Sequence, residues 1–386
     1  MNWKRLITLS LLVLTLQGIH TRAIGGVQYE DLDAEQARNR GLRYLNGKGV
    51  ALSPKKAIYW LEIAAQKGDA ISMTQLGNIY LGNRYVKRDK ARAFSYFKSS
   101  ADTGYPMGQF YLGRCYLTGY GCTKDYALAV QNFQLAATTG FNPAQVILGV
   151  CYMNGYGVKK DYNAAKSLCE LALDTPDNTP ITTYNSLTDS YRGDAYGLLG
   201  YIYYSGKGVE KDLRKAFKMY KKGAALNNVV SLYYLAQMYE KGESVSINEK
   251  KAFKYYQKSA TRGFPKAMVK IGGLYYRGDY VTKDSQTAFE WFEKASNKRY
   301  PPGVYHLGLC YMSGQGTSKD PTKGYSLFLT AAKKGESRAQ YALSQCLLKG
   351  EGCDKDVDQA YIWLRKAAKK KNKDAVKYLD ENPKGL

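Results

Sequence analysis

Few residues of this sequence have the types and spacing that catalysis requires. Ser53 and Ser95 each stand three residues before a lysine, the spacing in which lysine activates serine in penicillin-binding enzymes. Neither Ser-Asp-Asn nor Lys-Thr-Gly accompanies them. Segments 41–48 and 200–207 resemble phosphate-binding loops, but five residues separate their glycines where that loop has four. We therefore predict that the protein is not an enzyme, and keep a cell-wall or β-lactam-acting enzyme as an alternative.

Histidine and metal chemistry are also limited. The chain has two histidines, and only His306 remains if residues 1–23 are removed. A Ser-His-Asp or Cys-His arrangement would depend on His306 alone, and a histidine-based metal cage is excluded. No Cys-x-x-Cys occurs, which argues against a zinc ribbon. We expect His306 to be an ordinary residue on the exposed face of a helix, and we expect no metal and no cofactor.

The cysteines offer structural chemistry. The seven are Cys115, Cys122, Cys151, Cys169, Cys310, Cys346 and Cys353. Cys115 and Cys122 have the same spacing of seven residues as Cys346 and Cys353, and both members of each pair should face one core. In an oxidising compartment each pair could form a disulfide, whereas the alternative is that all serve as small buried hydrophobes. Because the total is odd, at least one thiol stays free or pairs with another chain.

The N-terminus bears on the compartment. Residues 1–23 have two basic residues, Lys4 and Arg5, near their start and continue with an almost wholly apolar run at 6–16. Small residues at Ala23 and Gly18 offer two alternative cleavage points. This pattern is typical of a secretory signal peptide, and the apolar run is too short to span a bilayer comfortably. We predict export, with a periplasmic or secreted protein after cleavage and a linker at 24–34. An uncleaved anchor is the alternative.

The charge favours anionic partners. The 386-residue chain carries a formal charge of +24, and removal of residues 1–23 with their three basic side chains would leave +21. Such a field attracts polyanions without naming them; export makes nucleic acid an unlikely natural ligand. A binder of anionic envelope or host surface polymers is therefore an alternative function, and a solvated lysine coat is the competing interpretation. The C-terminal part is notably lysine-rich, with Lys366, Lys369, Lys370, Lys371, Lys373 and Lys377.

A repeat of 36 residues must position all of these side chains. One position of the repeat, which we call the marker, is glycine in every unit except two, where it is Ala236 and Ser344. The markers are residues 41, 77, 113, 149, 200, 236, 272, 308 and 344. Three residues later stand Tyr44, Tyr80, Tyr116, Tyr152, Tyr203, Tyr239, Tyr275, Tyr311 and Leu347. Twelve residues after the marker stand Ser53, Asp89, Asp125, Asp161, Asp212, Asn248, Asp284, Asp320 and Asp356. Nine units agreeing at three positions indicate a repeat array.

Each unit is predicted to be a helix, a turn and a second helix. A glycine within the first helix costs about 1 kcal/mol relative to alanine, so its recurrence predicts that another helix crosses there. A Gly-x-Gly turn, such as Gly314 to Gly316, reverses the chain through positive φ. The residue twelve after the marker then caps the second helix. The turn departs from this pattern at 83–85, 242–244 and 278–280, where its geometry is left open.

The repeat resembles a known family. Residues 148–161 read Leu-Gly-x-x-Tyr-x-x-Gly-x-Gly-Val-x-x-Asp, which resembles the Sel-one-like repeat, a relative of the tetratricopeptide repeat. The resemblance extends from residue 35 to about residue 380. It implies an all-α fold: a right-handed α-α superhelical solenoid of about nine 36-residue helix-turn-helix repeats plus a C-terminal capping helix.

The resemblance also implies a function. Similar bacterial proteins act as adaptors in envelope assembly, and those of intracellular pathogens promote contact with, or invasion of, host cells. We therefore expect an exported scaffold for protein–protein interactions, acting at the bacterial envelope or with host-cell components, whose partner is a protein.

The domain organisation follows from the repeat. We predict repeats 1–4 at 35–173, an inserted loop at 174–193, repeats 5–9 at 194–373, and a capping helix and tail at 374–386. The loop is predicted because it accounts for the single 51-residue step between markers and is rich in turn-forming residues. It is either a binding loop or a tolerated insertion.

The predicted binding residues are tyrosines of the first helices. Side chains three residues before, one after and four after the marker should lie on the face of the first helix opposite the core. Stacked first helices should present these side chains as a row. These positions hold Tyr201, Tyr204, Tyr233, Tyr276, Tyr305 and Tyr341. Tyrosine is favoured at binding surfaces because it offers area and a hydroxyl at low entropy cost. The row should bind the partner and contribute little to folding; the alternative is that it only reflects a composition with 36 tyrosines.

Overall fold

The structure is a computed structural model that describes residues 32–82, 84–174 and 185–383, with only the backbone of 185–189. Within these ranges it contains nineteen α-helices and no strand. The predicted signal peptide at 1–23, and the linker at 24–34 except its last three residues, lie outside the described residues.

The helices follow one another with short connections. Their bounds are α1 Ala34–Asn46, α2 Pro54–Gln66, α3 Ala70–Leu81, α4 Lys90–Asp102, α5 Pro106–Thr118, α6 Tyr126–Thr138, α7 Asn142–Asn154, α8 Tyr162–Asp174, α9 Asn185–Ser205, α10 Leu213–Ala225, α11 Val229–Lys241, α12 Glu249–Thr261, α13 Pro265–Arg277, α14 Ser285–Asn297, α15 Pro301–Ser313, α16 Pro321–Lys333, α17 Ser337–Lys349, α18 Val357–Lys369 and α19 Lys373–Glu381. Odd-numbered helices up to α17 are the first helices of the nine repeats, and even-numbered helices are the second. The predicted all-α array of helix-turn-helix repeats with a final extra helix is confirmed.

The helices pack into two compact units. One unit runs to Cys151 and includes Gly155–Lys159, and the other contains Tyr152–Asn154 and the described residues from Lys160 onwards. Within each unit a first helix packs against the second helix of its own repeat and against the second helix of the repeat before it. Each hydrophobic core is therefore shared by neighbouring repeats, as expected of a repeat array.

The helix crossing predicted at the marker glycine is confirmed. The side chain that crosses there comes from the second helix of the same repeat, twenty residues after the marker. A Cβ placed on Gly200 would lie 2.5 Å from Cδ1 of Tyr220, and one on Gly308 would lie 2.7 Å from Cε1 of Phe328. We call these side chains the crossing residues; they are Leu61, Phe97, Phe133, Cys169, Tyr220, Tyr256, Phe292, Phe328 and Leu364. All nine are at most 2% exposed.

The turn and the cap hold the two helices of a repeat together. In every unit the backbone N–H of the capping residue, twelve after the marker, donates to the carbonyl of the residue three after the marker. That acceptor is tyrosine in eight units and Leu347 in the ninth; the bond from Asp320 to Tyr311, for example, is 2.8 Å long. The Asp320 carboxylate in turn accepts from the backbone N–H of Lys323 at 2.9 Å. Ser244 and Tyr280, which replace the second turn glycine, have φ of 63° and 64°. The left-handed turn is thus retained in two of the repeats whose sequence departs from Gly-x-Gly.

The predicted inserted loop is shorter than the sequence indicated. Residues 185–193, assigned to that loop, belong to α9, which has 21 residues where the other first helices have 12 or 13. The extension is held by packing, because Tyr191 is only 4% exposed. Of the rest of the predicted loop, Asp174 is the last residue of α8 and residues 175–184 lie outside the described residues.

Candidate binding site on the first helices

The crossing residues also shape the outer surface of the first helices. The marker is glycine in seven repeats, alanine at 236 and serine at 344, so only a small side chain or none lies there. The crossing ring can therefore reach between first helices, where residues three and two positions before the markers pack against it. The ring centroid of Tyr233, three before its marker, lies 5.4 Å from that of Tyr256, and Tyr305 lies 5.8 Å from Phe328. The predicted tyrosine row is therefore half-buried rather than fully exposed. This burial argues against the expectation that Tyr233 and Tyr305 contribute little to folding, which stays a prediction.

The other four tyrosines of the row are also half-buried. The hydroxyl of Tyr204 donates to Glu243 at 3.3 Å, and the hydroxyl of Tyr201 accepts from Nζ of Lys207 at 3.0 Å. Tyr276 and Tyr341 pack against the clusters around Phe292 and Leu364, respectively. The row is therefore part of the packing between repeats, and its role in binding stays a prediction.

A second series of rings links successive repeats. Two residues before the marker, Tyr111, Tyr234 and His306 stack on the crossing residue of the preceding repeat. The His306 and Phe292 ring centroids are 4.8 Å apart with an interplanar angle of 15°. Burial, and secondarily the cations of Arg338 and Arg277, lower the pKa of His306 to about 4. His306 is thus a neutral packing residue at neutral pH rather than the ordinary surface residue that the sequence indicated.

A pocket opens on the first-helix surface of repeats 6 to 9. Its volume is about 400 Å³, and it draws on α11, α13, the start of α15 and α17. The residues that line it are Tyr233, Tyr234, Gln237, Lys266, Val269, Lys270, Tyr300, Pro302 and Arg338. We call it the Tyr233 pocket. Of the six predicted tyrosines it includes Tyr233.

The cations of the Tyr233 pocket are mostly held in place by carboxylates. Lys270 forms an ion pair of 2.7 Å with Glu240. Arg338 forms one of 2.8 Å with Glu336 and lies 5.1 Å over the ring of Tyr305. Lys266 is exposed and has no ion pair among the described residues. The pocket therefore has a modest positive charge with two fixed cations and one free cation.

The phenols of the pocket are neutral donors. Burial raises the pKa of Tyr233 to about 12 and raises that of Tyr234. Burial and the Glu336 carboxylate raise the pKa of Tyr300, partly opposed by Arg338. Rigid aromatic area combined with hydroxyl donors and cations suits the recognition of a polypeptide with acceptor groups.

The described residues contain no group of side chains suited to a metal ion. Ser53, one of the two Ser-x-x-Lys serines, caps α2 by accepting from the backbone N–H of Lys56. Its hydroxyl therefore has a structural role, and Ser95 lies exposed on α4.

Sequence reasoning missed most of the pocket. Tyr234 and Lys270 occupy the same repeat position as His306, two before the marker, and an aligned set of repeats could have shown that this position varies between rings and cations. Tyr300 caps the start of α15 without a side-chain hydrogen bond, a position that gives no signal of binding. Arg338 lies 105 residues from Tyr233, so only the stacking of repeats brings them together.

Comparison with known proteins decides the family. The profile of the Sel1 repeat matches nine segments of this sequence: 37–69, 70–105, 106–141, 142–174, 193–228, 229–264, 265–300, 301–336 and 337–372. The chain belongs to the Sel1 repeat family. Sel1 repeat proteins generally serve as scaffolds that bind protein partners and are typically not enzymes.

Solved Sel1 repeat structures share the fold. One is a protective antigen present in uropathogenic Escherichia coli strains, with 28% identity, a TM-score of 0.53, and coverage of 90% of this chain and 79% of the other. Another is a Sel1 repeat protein from Oxalobacter formigenes, with 24% identity, a TM-score of 0.52, and coverage of 94% and 98%. No curated protein matches the sequence.

The cysteines of the Sel1 repeats lie mainly in the cores. All seven are thiols, and five of them are buried. Burial, with a smaller contribution from Cys122, raises the pKa of Cys115 to about 12, and burial, with one from Cys353, does the same for Cys346. The two predicted disulfides stay a prediction.

Among the described residues, no helix combines the length and apolar character that a membrane span requires.

Proposed function

We propose that this Sel1 repeat protein is an exported scaffold that holds a segment of a partner protein in the Tyr233 pocket. The observation that carries the proposal is the convergence of four repeats on one surface with aromatic, hydroxyl and cationic groups. A binding surface needs such rigid anchors, since ordering flexible side chains on binding costs free energy. The tilted contact of the Tyr233 ring with Tyr256 and its edge contact with Phe264, at centroid distances of 5.4 and 5.5 Å, provide that rigidity.

The partner is an envelope or host-cell component in this proposal. Support comes from the signal-peptide pattern at 1–23 and from the similarity to a protective antigen, because such an antigen is accessible to the immune system of the host. Export also supplies the oxidising compartment in which Cys115–Cys122 and Cys346–Cys353 can form.

Site-specific photocrosslinking tests the proposed binding site. Gln237 lies in the pocket with no hydrogen bond to another side chain among the described residues, so a photoreactive phenylalanine analogue there should crosslink the partner in the producing cell. Ser326, exposed on the second helix α16, is the matched control. We expect a specific protein adduct from position 237 and none from position 326. Equal adducts at both positions, or none at position 237, would contradict the proposal.

Intact-mass measurement tests export. Protein recovered from the cell surface or medium should lack about the first 23 residues. Without reduction it should also be lighter by two hydrogens for each disulfide formed. A full-length mass confined to the cytoplasmic fraction would contradict the export proposal and leave the pocket proposal intact.

A further inference from the structure

The second helices of repeats 5 and 6 carry a regular grid of cations. On α10, Arg214, Lys218 and Lys222 follow each other at intervals of four residues, so they share one face with a rise of about 6 Å between neighbours. On α12, Lys250, Lys254 and Lys258 occupy the same three repeat positions. All six side chains are exposed. We call these six residues the cation grid.

The cation grid is not a property of the repeat. At the same positions repeat 4 has Asn163, Ser167 and Leu171, and repeat 8 has Thr322, Ser326 and Thr330. Folding therefore does not require a cation there. A lysine coat kept only for solubility would be spread over the repeats rather than concentrated in two neighbours.

The grid is also uncompensated. None of its six members forms an ion pair among the described residues. α10 contains no acidic residue, and α12 contains one, Glu249 at its first position. Lys222 Nζ lies 5.3 Å over the ring of Tyr196. The grid thus differs from the Tyr233 pocket, where carboxylates neutralise Lys270 and Arg338.

We infer that the cation grid binds a linear polyanion, with successive phosphate or other acidic groups lying along α10 and α12. Five of the six cations are lysines, which act as hydrated point charges and suit repeated anionic groups rather than one bidentate carboxylate. The neighbouring α14 carries the exposed Glu290 and Glu293 and one exposed lysine, Lys294, so its outer surface has a net negative charge. These carboxylates would repel an anionic membrane lying across the second helices, so a narrow polymer fits better than a bilayer.

Titration with end-labelled linear polyphosphate tests this surface. The full-length protein should bind the probe with an affinity that falls steeply with salt, because binding releases counterions. Changing all six residues to glutamine should lower the affinity at least about tenfold and reduce the slope of log K against log salt by about 4, at about 0.7 per contact. The substituted sites are exposed, so the thermal stability should be nearly unchanged.

The matched control neutralises six other lysines. Lys366, Lys369, Lys370, Lys371, Lys373 and Lys377 form the lysine-rich C-terminal end, and their change to glutamine alters the net charge equally. This variant should retain polyphosphate affinity within about twofold, because distant exposed charges are screened. Equal losses in both variants would assign binding to the overall field and overturn the inference. So would absence of binding, or binding of phosphatidylserine vesicles that polyphosphate does not displace. The photocrosslink at Gln237 tests a different surface, so the two proposals can fail separately.

Discussion

The marker glycine connects folding with the binding surface at the level of single residues. It leaves a space that the crossing residue fills, and the crossing residue then supports rings on the first-helix surface. Gly272 shows this arrangement, because a Cβ there would lie 2.6 Å from Cε1 of Phe292. Phe292 also stacks with His306 of the next repeat. One missing methyl group therefore determines the position of two neighbouring rings.

Adjacent glycines on α13 test this requirement. Gly272→Ala should destabilise the protein by about 1–3 kcal/mol, because the ring of Phe292 must move in a close-packed core. Gly273→Ala is the control, since its Cβ would meet only the flexible end of Arg277, at 3.3 Å. Removing that mid-helix glycine should stabilise by up to about 1 kcal/mol. Urea unfolding of both variants checks the prediction. Equal changes in the free energy of unfolding for Gly272→Ala and Gly273→Ala would refute it.

His306 should make stability depend on pH. Its pKa is lowered to about 4 in the folded protein, whereas an unfolded histidine has a pKa of about 6.5. Only the unfolded chain gains a proton between these values, so the free energy of unfolding should fall as the pH drops from about 6.5 towards 4 and be unaffected above about 7. At pH 5.0 the loss should be about 2 kcal/mol.

His306→Tyr is the control for this effect, because Tyr111 and Tyr234 occupy the same repeat position and stack in the same way. Unfolding in urea at pH 7.5 and pH 5.0 should show a smaller loss in the variant than in the original protein. Identical pH dependences would show that His306 is protonated normally in the folded state.

At the scale of the elements, the turn between the two helices also fixes the spacing of repeats. The second turn glycine lies against the start of the preceding second helix: a Cβ on Gly316 would collide with the carbonyl of Ser285, and one on Gly352 with that of Pro321. Ser244 and Tyr280 hold the same left-handed conformation with side chains. The left-handed region costs a residue other than glycine about 1–2 kcal/mol.

Exchanging serine and glycine at the second turn position of two repeats tests the cost of a side chain in this left-handed conformation. Ser244→Gly should stabilise by about 0.5–1 kcal/mol, because relief of the left-handed strain exceeds the added entropy of the unfolded chain. Gly316→Ser should destabilise by more than that, since strain is joined by the collision with Ser285. Thermal unfolding of both variants is the measurement. A neutral Gly316→Ser would mean that the turn adjusts freely.

At the scale of the whole molecule, the ends of a repeat array need covering because each repeat completes the core of its neighbour. At the C-terminal end α19 provides the cover. Its Ala375 is buried with Leu364 and Ala367 of α18, and Tyr378 and Leu379 pack beside them. The outward side of α19 is polar, with Lys373, Lys377 and Asp380 among its residues.

Truncation after Asn372 should therefore loosen the last repeat. Loss of α19 exposes Leu364 and Ala367, and burial of a leucine contributes about 1.5–3 kcal/mol. Hydrogen exchange should show faster amide exchange in α17 and α18, while α3 and α4 stay protected because stability is transmitted between neighbours. Unchanged protection in α18 would show that α19 is not a structural cap.

Much of this fold follows from the sequence. The sequence predicted the helix pairs because several repeat positions satisfy local requirements. The marker leaves space where helices cross, the turn glycines permit positive φ, and the capping residue accepts from a free N–H at the start of the second helix. The second helices begin after Asp320 and its equivalents as predicted. The prediction of the inserted loop was less accurate. Its turn-forming residues indicated a loop, whereas the structure has a helical extension there in which Tyr191 is buried.

The tertiary structure alone decided what the first-helix surface is. On a helical wheel Tyr233 and Tyr305 lie opposite the core of their own helix, but crossing rings from Tyr256 and Phe328 reach past the markers and bury one side of them. Helical periodicity describes one helix and cannot show a side chain that arrives from another. For the same reason Tyr233 and Arg338 meet at one pocket only after several repeats have stacked, because no local sequence rule relates residues so far apart.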